Sequence, residues 1–302
     1  MNHLSPGVWG VVATPFRGPA REVDEASLVR LVSHYERIGV TGLTVLGVFG
    51  EAAQLSSTER REVLEAVADS VELPLVVGAT ALGTAPVIEE GLLAAEAIGS
   101  RVTALMVQVN SPRRDVLAAH LRAVHEATGL PIVVQDYPAI SGVSIPADVL
   151  GTALADLPFV AAVKAEGPPT PPAIALLAAR LDVPVFGGLG GIGLLDELAA
   201  GSAGAMTGFS FPEGLLACVN AWREGGFDAA REAFLPYLPL VNFEQQVRIA
   251  LAVRKEALHR RGLIEESAVR PPAASFPATL CEPLDRHLAA VEAAVRVSEG
   301  VR

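Results

Sequence analysis

Lys164 closes the apolar run Pro158-Phe159-Val160-Ala161-Ala162-Val163-Lys164, and the only other lysine of the chain, Lys255, falls in a helical segment. A sequence that carries its positive charge almost wholly on arginine has thus kept an amine at the end of a buried strand. Burial disfavours the charged ammonium and favours the free amine, which attacks a carbonyl carbon to form an imine. The structural alternative is a lysine paired with Glu166. Glu166 stands two residues further on, so extended geometry turns it to the same side, where a carboxylate can move protons or hold the ammonium. Both roles remain open.

Two glycine-rich stretches add candidate contacts. In Gly47-Val48-Phe49-Gly50-Glu51 the glycines would let backbone N–H groups approach an anion, although a plain strand-to-helix turn needs the same residues. The stretch Gly187-Gly188-Leu189-Gly190-Gly191-Ile192-Gly193 contains a literal GxGxxG. The acidic residue that a dinucleotide site places at the end of the following strand is missing, because that strand ends at Met206-Thr207. Close backbone packing around a substrate is the better reading, with Gly188 and Thr207 as candidate contacts. The six histidines form no HxH or HExxH spacing, and Cys218 and Cys281 have no CxxC neighbour. Neither a metal nor a cofactor is expected.

Short β-branched runs alternate with Ala/Leu/Glu/Arg segments, the pattern of repeated βα units. Eight strands are expected, at Val8 to Ala13, Gly42 to Leu46, Leu75 to Gly78, Val102 to Val109, Ile132 to Gln135, Val160 to Lys164, Val183 to Phe186 and Gly204 to Thr207. Helices are expected near 24–37, 58–70, 84–98, 115–128, 146–155, 171–180, 191–200 and 212–223. Ser56 with Glu59 fits a capping box, and Pro146 and Pro172 fit first turns. Eight units in order predict a (β/α)8 TIM barrel over residues 1–224, with an open doubly wound sheet as the alternative. Helices near 227–238, 241–261 and 284–298 then make 225–302 a C-terminal helical region packed on the barrel. Barrel active sites gather at the C-terminal ends of the strands, where Lys164 and both glycine stretches fall.

Composition agrees with that interior. The chain is 51% hydrophobic but only 5% aromatic, so Ala, Val and Leu must fill the core. A net charge of −11 argues against nucleic acid, which needs clustered Lys and Arg. No apolar stretch reaches membrane-span length without charges or breakers, and the start lacks a basic leader, so a soluble cytoplasmic protein is expected.

With Lys164, the GxxGE loop and the opening Val12-Ala13-Thr14-Pro15-Phe16 in place, the chain resembles the dihydrodipicolinate synthase/N-acetylneuraminate lyase family over nearly its whole length. The resemblance implies a class I lyase on a (β/α)8 barrel that binds pyruvate or another 2-keto acid as a Schiff base, in a homo-oligomer, tetramer or dimer. It makes Lys164 the imine-forming residue and Gly47 to Glu51 the receiver of the keto-acid carboxylate. Where the synthases have two hydroxyl residues in that loop, this chain has Val48 and Phe49. Where they have a catalytic tyrosine after strand five it has Gln135, within Gln135-Asp136-Tyr137-Pro138, and after strand four it has Gln108-Val109-Asn110-Ser111-Pro112. Tyr137 is then a candidate for the missing hydroxyl, or a packed loop residue.

Within the family, Val133 to Pro138, Val163-Lys164-Ala165-Glu166, Gly204 to Gly208 and Ala221 to Gly225 resemble 2-keto-3-deoxy-L-arabonate dehydratases. The reaction so implied removes water from a 3-deoxy-2-keto sugar acid. A pyruvate-dependent aldolase or dihydrodipicolinate synthase-like lyase, and a non-catalytic sugar-acid binder that kept the barrel, are the competing readings.

Overall fold

The computed structural model describes the backbone of residues 3–300 and the side chains of residues 3–296; residues 1, 2, 301 and 302 of the two expected regions lie outside the described residues. Eight parallel strands close into a barrel: β1 Gly7–Val11, β2 Gly42–Val45, β3 Leu75–Gly78, β4 Val102–Gln108, β5 Ile132–Asp136, β6 Val160–Ala165, β7 Val185–Gly187 and β8 Gly204–Thr207. Each pairs with its sequence neighbours, and β8 returns to β1 through Gly7↔Gly204 to Gly10↔Thr207. Every residue of β1, β2, β3, β5, β6, β7 and β8 is buried, which explains their continuous apolar runs: a parallel strand covered on both faces has no polar side.

The outer ring is α1 Glu25–Arg37, α2 Ser57–Ser70, α3 Thr84–Ile98, α4 Arg114–Thr128, α5 Ala147–Leu154, α6 Thr170–Arg180, α7 Leu194–Ala199 and α8 Pro212–Phe234. Helix α1 shows why these segments coil and dock. Asp24 caps it by accepting from Ser27 N–H, and Leu28, Leu31, Val32 and Tyr35 recur at helical spacing on the buried side. The Ser56/Glu59 capping box forms on α2. Pro146 sits one position outside α5 as its N-cap, so it sets the entry rather than filling the first turn.

Several boundaries shift by one to three residues, and three larger differences fall in the C-terminal half. The helix expected over 191–200 shortens to Leu194–Ala199, because Gly190 takes φ 67 in a turn that packs on the site. The expected division at 224/225 falls inside α8, which bends at Gly226 (φ 71, ψ −153). The helix expected over 241–261 splits into α9 Leu238–Phe243 and α10 Ala250–Arg260, with Arg248 in the left-handed region (φ 72) between them. A small hairpin, Phe16–Arg17 with Glu22–Val23, and the short helix Pro138–Ser141 were not foreseen. The last helix is α11 Cys281–Gly300. Among the described residues no helix is long and apolar enough to cross a membrane.

A buried ion pair ties α10 to the mouth of the barrel. Lys255 Nζ lies 2.8 Å from Glu51 Oε1, donates to Thr14 O at 2.9 Å and stands 4.3 Å over the Phe16 ring. Neither charged side chain is more than 2% exposed. Removing one member would strand the other charge in the interior. Lys255→Met is therefore expected to lose about 3–5 kcal/mol in urea unfolding. The double variant Lys255→Met/Glu51→Leu should recover much of that loss; equal losses in both would show that the charges are not what couples these segments.

Candidate active site

In β6 the alternation of an extended strand turns Lys164 inward, Ala165 outward and Glu166 inward again. The register sets Gln108 beside Gln135, Gln135 beside Lys164 and Lys164 beside Phe186, so one row of side chains crosses four strands near their C-terminal ends. Lys164 Nζ is 3.0 Å from Glu166 Oε2, with both side chains under 9% exposed. Gln135 Nε2 donates to the same oxygen at 2.7 Å, and Leu189 N–H donates to Oε1 at 3.2 Å. The carboxylate therefore has three donors. It occupies the space beside Gly188, where an added Cβ would stand 2.3 Å from Glu166 Oε1. Gly188 is thus fixed by the carboxylate that it accommodates, and Gln135 is placed as a holder of Glu166.

Two further acids feel the charge of Glu166. Asp136, next to Gln135 on β5, is pushed up to about 6, first by burial and then by the charge of Glu166, and its Oδ1 is buried without a hydrogen-bond partner among the described residues. Glu197 on α7 is pushed up to about 7 by burial, opposed by the Thr170 hydroxyl at 2.6 Å and reinforced by the charges of Glu166 and Asp196. Tyr137 is half-buried, and burial together with the charge of Glu166 raises its phenol. Both acids feel the charge of Glu166, but Asp136, in register with the outward Ala165, lies against Gly167, and Glu197 is held by Thr170, so neither is placed against the amine.

The Gly47–Glu51 loop closes through Gly50 N–H to Gly47 O at 3.0 Å and Glu51 N–H to Val48 O at 3.1 Å, so two of its five N–H groups are engaged in the turn. Leu46 (φ 58) and Glu51 (φ 52) bracket it in the left-handed region, a strained arrangement for side-chain-bearing residues. The Glu51 side chain is held in the interior: Lys255 holds one carboxylate oxygen, and Arg270 N–H donates to the other at 2.7 Å. What the loop offers an anion is therefore backbone N–H rather than this side chain. Phe49 is a wall of the mouth, with its ring against Gly208 and Arg254 Cζ 5.8 Å from its centroid. Val48 is the half-buried member of the loop. Thr207 Oγ1 accepts from Gly190 N–H at 2.7 Å, which fastens the glycine-rich turn to β8.

The structure therefore brings Lys164, Glu166, Gln135 and Gly188 together, with Tyr137 and Thr207 at the edges. Sequence reasoning passed over Asp136, although it lies inside the quoted Gln135-Asp136-Tyr137-Pro138 segment. It also missed Glu197 and Arg254, whose helices carry no motif. A cleft of about 660 Å³ lined by Leu154, Leu157, Arg180 and Asp182 opens at the opposite end of the strands and contains none of these residues.

Residues 4–290 match the model of the dihydrodipicolinate synthetase family. The chain is 32% identical over 279 residues to the L-2-keto-3-deoxyarabonate dehydratase of Azospirillum brasilense, covering 88% of each. It is 30% identical over 239 residues to the 4-hydroxy-tetrahydrodipicolinate synthase of Methanothrix thermoacetophila, covering 78% of this chain and 80% of that one. Among solved structures, the dihydrodipicolinate synthase of Rhodopseudomonas palustris superposes with a TM-score of 0.88 at 30% identity, over 96% of this chain and 100% of that chain.

The raised acids make stability depend on pH. Glu197 ordinarily ionises near 4.5 and in the fold near 7, so the native state holds its proton more tightly. That contribution is complete below about pH 4.5 and lost as pH rises through about 7. Glu197→Gln keeps an acceptor for Thr170 without the charge. Its stability relative to the parent should rise between pH 4.5 and 8 by on the order of 2–3 kcal/mol in urea titrations. A difference that stays flat with pH would remove Glu197 from the titrating set.

Proposed function

The chain belongs to the dihydrodipicolinate synthetase family, and on that premise we propose that it is a class I lyase that forms an imine between Lys164 and a small 2-keto acid, dehydrating a 3-deoxy-2-keto sugar acid. The observation that carries this reading is Lys164 Nζ at a strand end, 3.0 Å from a carboxylate that Gln135 and Leu189 also hold. An amine so placed has a proton acceptor in contact and little water around it.

The steps follow from imine chemistry. Lys164 adds to the C2 carbonyl, and loss of water gives a cationic imine. The cation draws electrons from the adjacent C–H bond, so a base takes a C3 proton and an enamine forms. Electrons returning from the enamine expel the C4 hydroxyl, which leaves as water once protonated. Tautomerisation and hydrolysis of the imine then release the dehydrated keto acid and free Lys164. Glu166 is the proton carrier in this scheme, because it touches the nitrogen that C2 would join. Tyr137 is the nearby phenol, its ionisation raised by burial and by the charge of Glu166. The likeness to the Azospirillum L-2-keto-3-deoxyarabonate dehydratase supports the dehydration outcome. We read the functional unit as a cytoplasmic homo-oligomer without a metal or cofactor.

The many synthase relatives favour a second reading, carbon–carbon bond formation or cleavage from the same imine. Gln135 speaks against it, since an amide that donates to Glu166 cannot relay a phenolic proton. Condensation of pyruvate with aspartate semialdehyde is accordingly expected to be weak.

Borohydride with pyruvate should add mass to the peptide that holds Lys164, and Lys164→Ala should abolish the adduct; an adduct that persists refutes the assignment. Glu166→Gln should still be trapped while turnover of 2-keto-3-deoxy-L-arabonate falls by roughly two to four orders of magnitude, the usual size of a general acid–base contribution. Loss of trapping in that variant would instead make Glu166 a holder of Lys164. Release of pyruvate and an aldehyde by the parent protein, with no dehydrated keto acid, would leave the aldolase reading in place.

A further inference from the structure

The C-terminal helices reach into the mouth with two side chains that the chemistry above does not use. Arg254 lies on α10 next to Lys255, with its side chain 13% exposed. Its Nε is 3.3 Å from Glu244 Oε2, and the wholly buried Glu244 is itself held by the Ser210 hydroxyl and Ser210 N–H. The guanidinium packs between the Phe49 ring, 5.8 Å from Cζ, and Gly190, and its Nε is buried without a hydrogen-bond partner among the described residues. Gln245, between α9 and α10, brings its Nε2 to the same place, buried and without a hydrogen-bond partner among the described residues. Gly190 marks the point of convergence: a Cβ there would stand 2.0 Å from Gln245 Nε2 and 2.4 Å from Arg254 Nη2. Leu189, one residue earlier, donates to Glu166.

We propose that Arg254 and Gln245 form the subsite for the hydroxyl-bearing tail of the substrate, the part beyond the carbons that react at Lys164. This rests on the imine reading of the site. Buried donors without acceptors cost about 1–3 kcal/mol each, so a ligand oxygen that meets them binds with a corresponding gain. The charge arrangement selects the kind of oxygen. Arg254 faces Glu244, Lys164 faces Glu166 and Lys255 faces Glu51, so each of these cations already has a carboxyl group against it. What remains is N–H donors beside an aromatic wall, Phe49, which suits the oxygens and C–H faces of a polyol. The subsite lies one residue along the turn from the contact to Glu166, so a tail held there keeps the reacting carbons beside the proton carrier.

Pyruvate has no tail, and that separates the two ends of the site. Arg254→Lys keeps a cation for Glu244 but removes the fork, and Gln245→Leu leaves the Arg254–Glu244 pair intact. In both variants borohydride trapping should show a half-saturation for pyruvate within about twofold of the parent, while KM for 2-keto-3-deoxy sugar acids rises roughly tenfold or more. An equal rise for pyruvate would overturn the proposal by placing these donors at the keto-acid end. An unchanged KM for the tailed acids in both variants would overturn it outright. If the parent protein is not trapped by pyruvate, the imine reading fails; calorimetric binding of the sugar acid then decides the subsite alone, weaker binding by Gln245→Leu supporting it and equal binding refuting it.

Discussion

Charge taken out of water must be paired, and this requirement organises the protein around its two lysines. Each is buried, and each lies against a glutamate: Lys164 with Glu166 at the end of β6, Lys255 with Glu51 at the loop after β2. The first pair carries the candidate chemistry. The second holds the frame of the mouth, since Lys255 also reaches Thr14 O and its partner Glu51 receives Arg270 N–H, so the first two strand-end loops and the C-terminal region are joined at one point. Desolvated ion pairs add little stability over apolar packing, but breaking one is costly, so such pairs make geometry definite rather than strong.

The barrel supplies a rigid ring of strand ends, and the segments outside the strand–helix repeat finish the site. The chain leaves helical geometry at Arg248 (φ 72) between α9 and α10, and Gln245 and Arg254, on either side of that break, meet over the glycine-rich turn while the Glu244 side chain reaches Ser210. Gly188 and Gly190 lack a Cβ for different neighbours, Glu166 in one case and the Arg254–Gln245 pair in the other. A stretch that resembles a nucleotide-binding loop in spelling is here an accommodation to side chains from three directions.

How much of this was legible in the sequence depended on how local the cause was. The eight strands could be read because burial on both faces writes itself as short apolar runs, and Lys164 with Glu166 could be read because alternation puts them on one side. Ser56 and Glu59 are likewise a contact between near neighbours. The pairing of the Glu51 side chain could not be read because its partner Lys255 is 204 positions away. Asp136, Glu197 and Arg254 were missed for the same reason: burial and the charge of Glu166 give the two acids their properties, and the position of Arg254 depends on Glu244 and the turn at Gly190. The break in the 241–261 helix was hidden because the local pattern is helical and the residue that turns left-handed, Arg248, is neither Gly nor Asn.

The spacing Lys164-Ala165-Glu166 links the chemistry to the threading of the strand. Because side chains alternate, slipping β6 by one residue against β5 and β7 would send Lys164 and Glu166 together into the dry layer between strands and helices, and Ala165 alone into the barrel. Both charges would then lose water without gaining Gln135 or Leu189. A misthreaded sixth strand is therefore penalised by the same two residues that the correctly threaded one puts to use, so the reactive pair also proofreads the fold, and an insertion or deletion within Val160–Ala165 would remove activity and correct assembly at a single stroke.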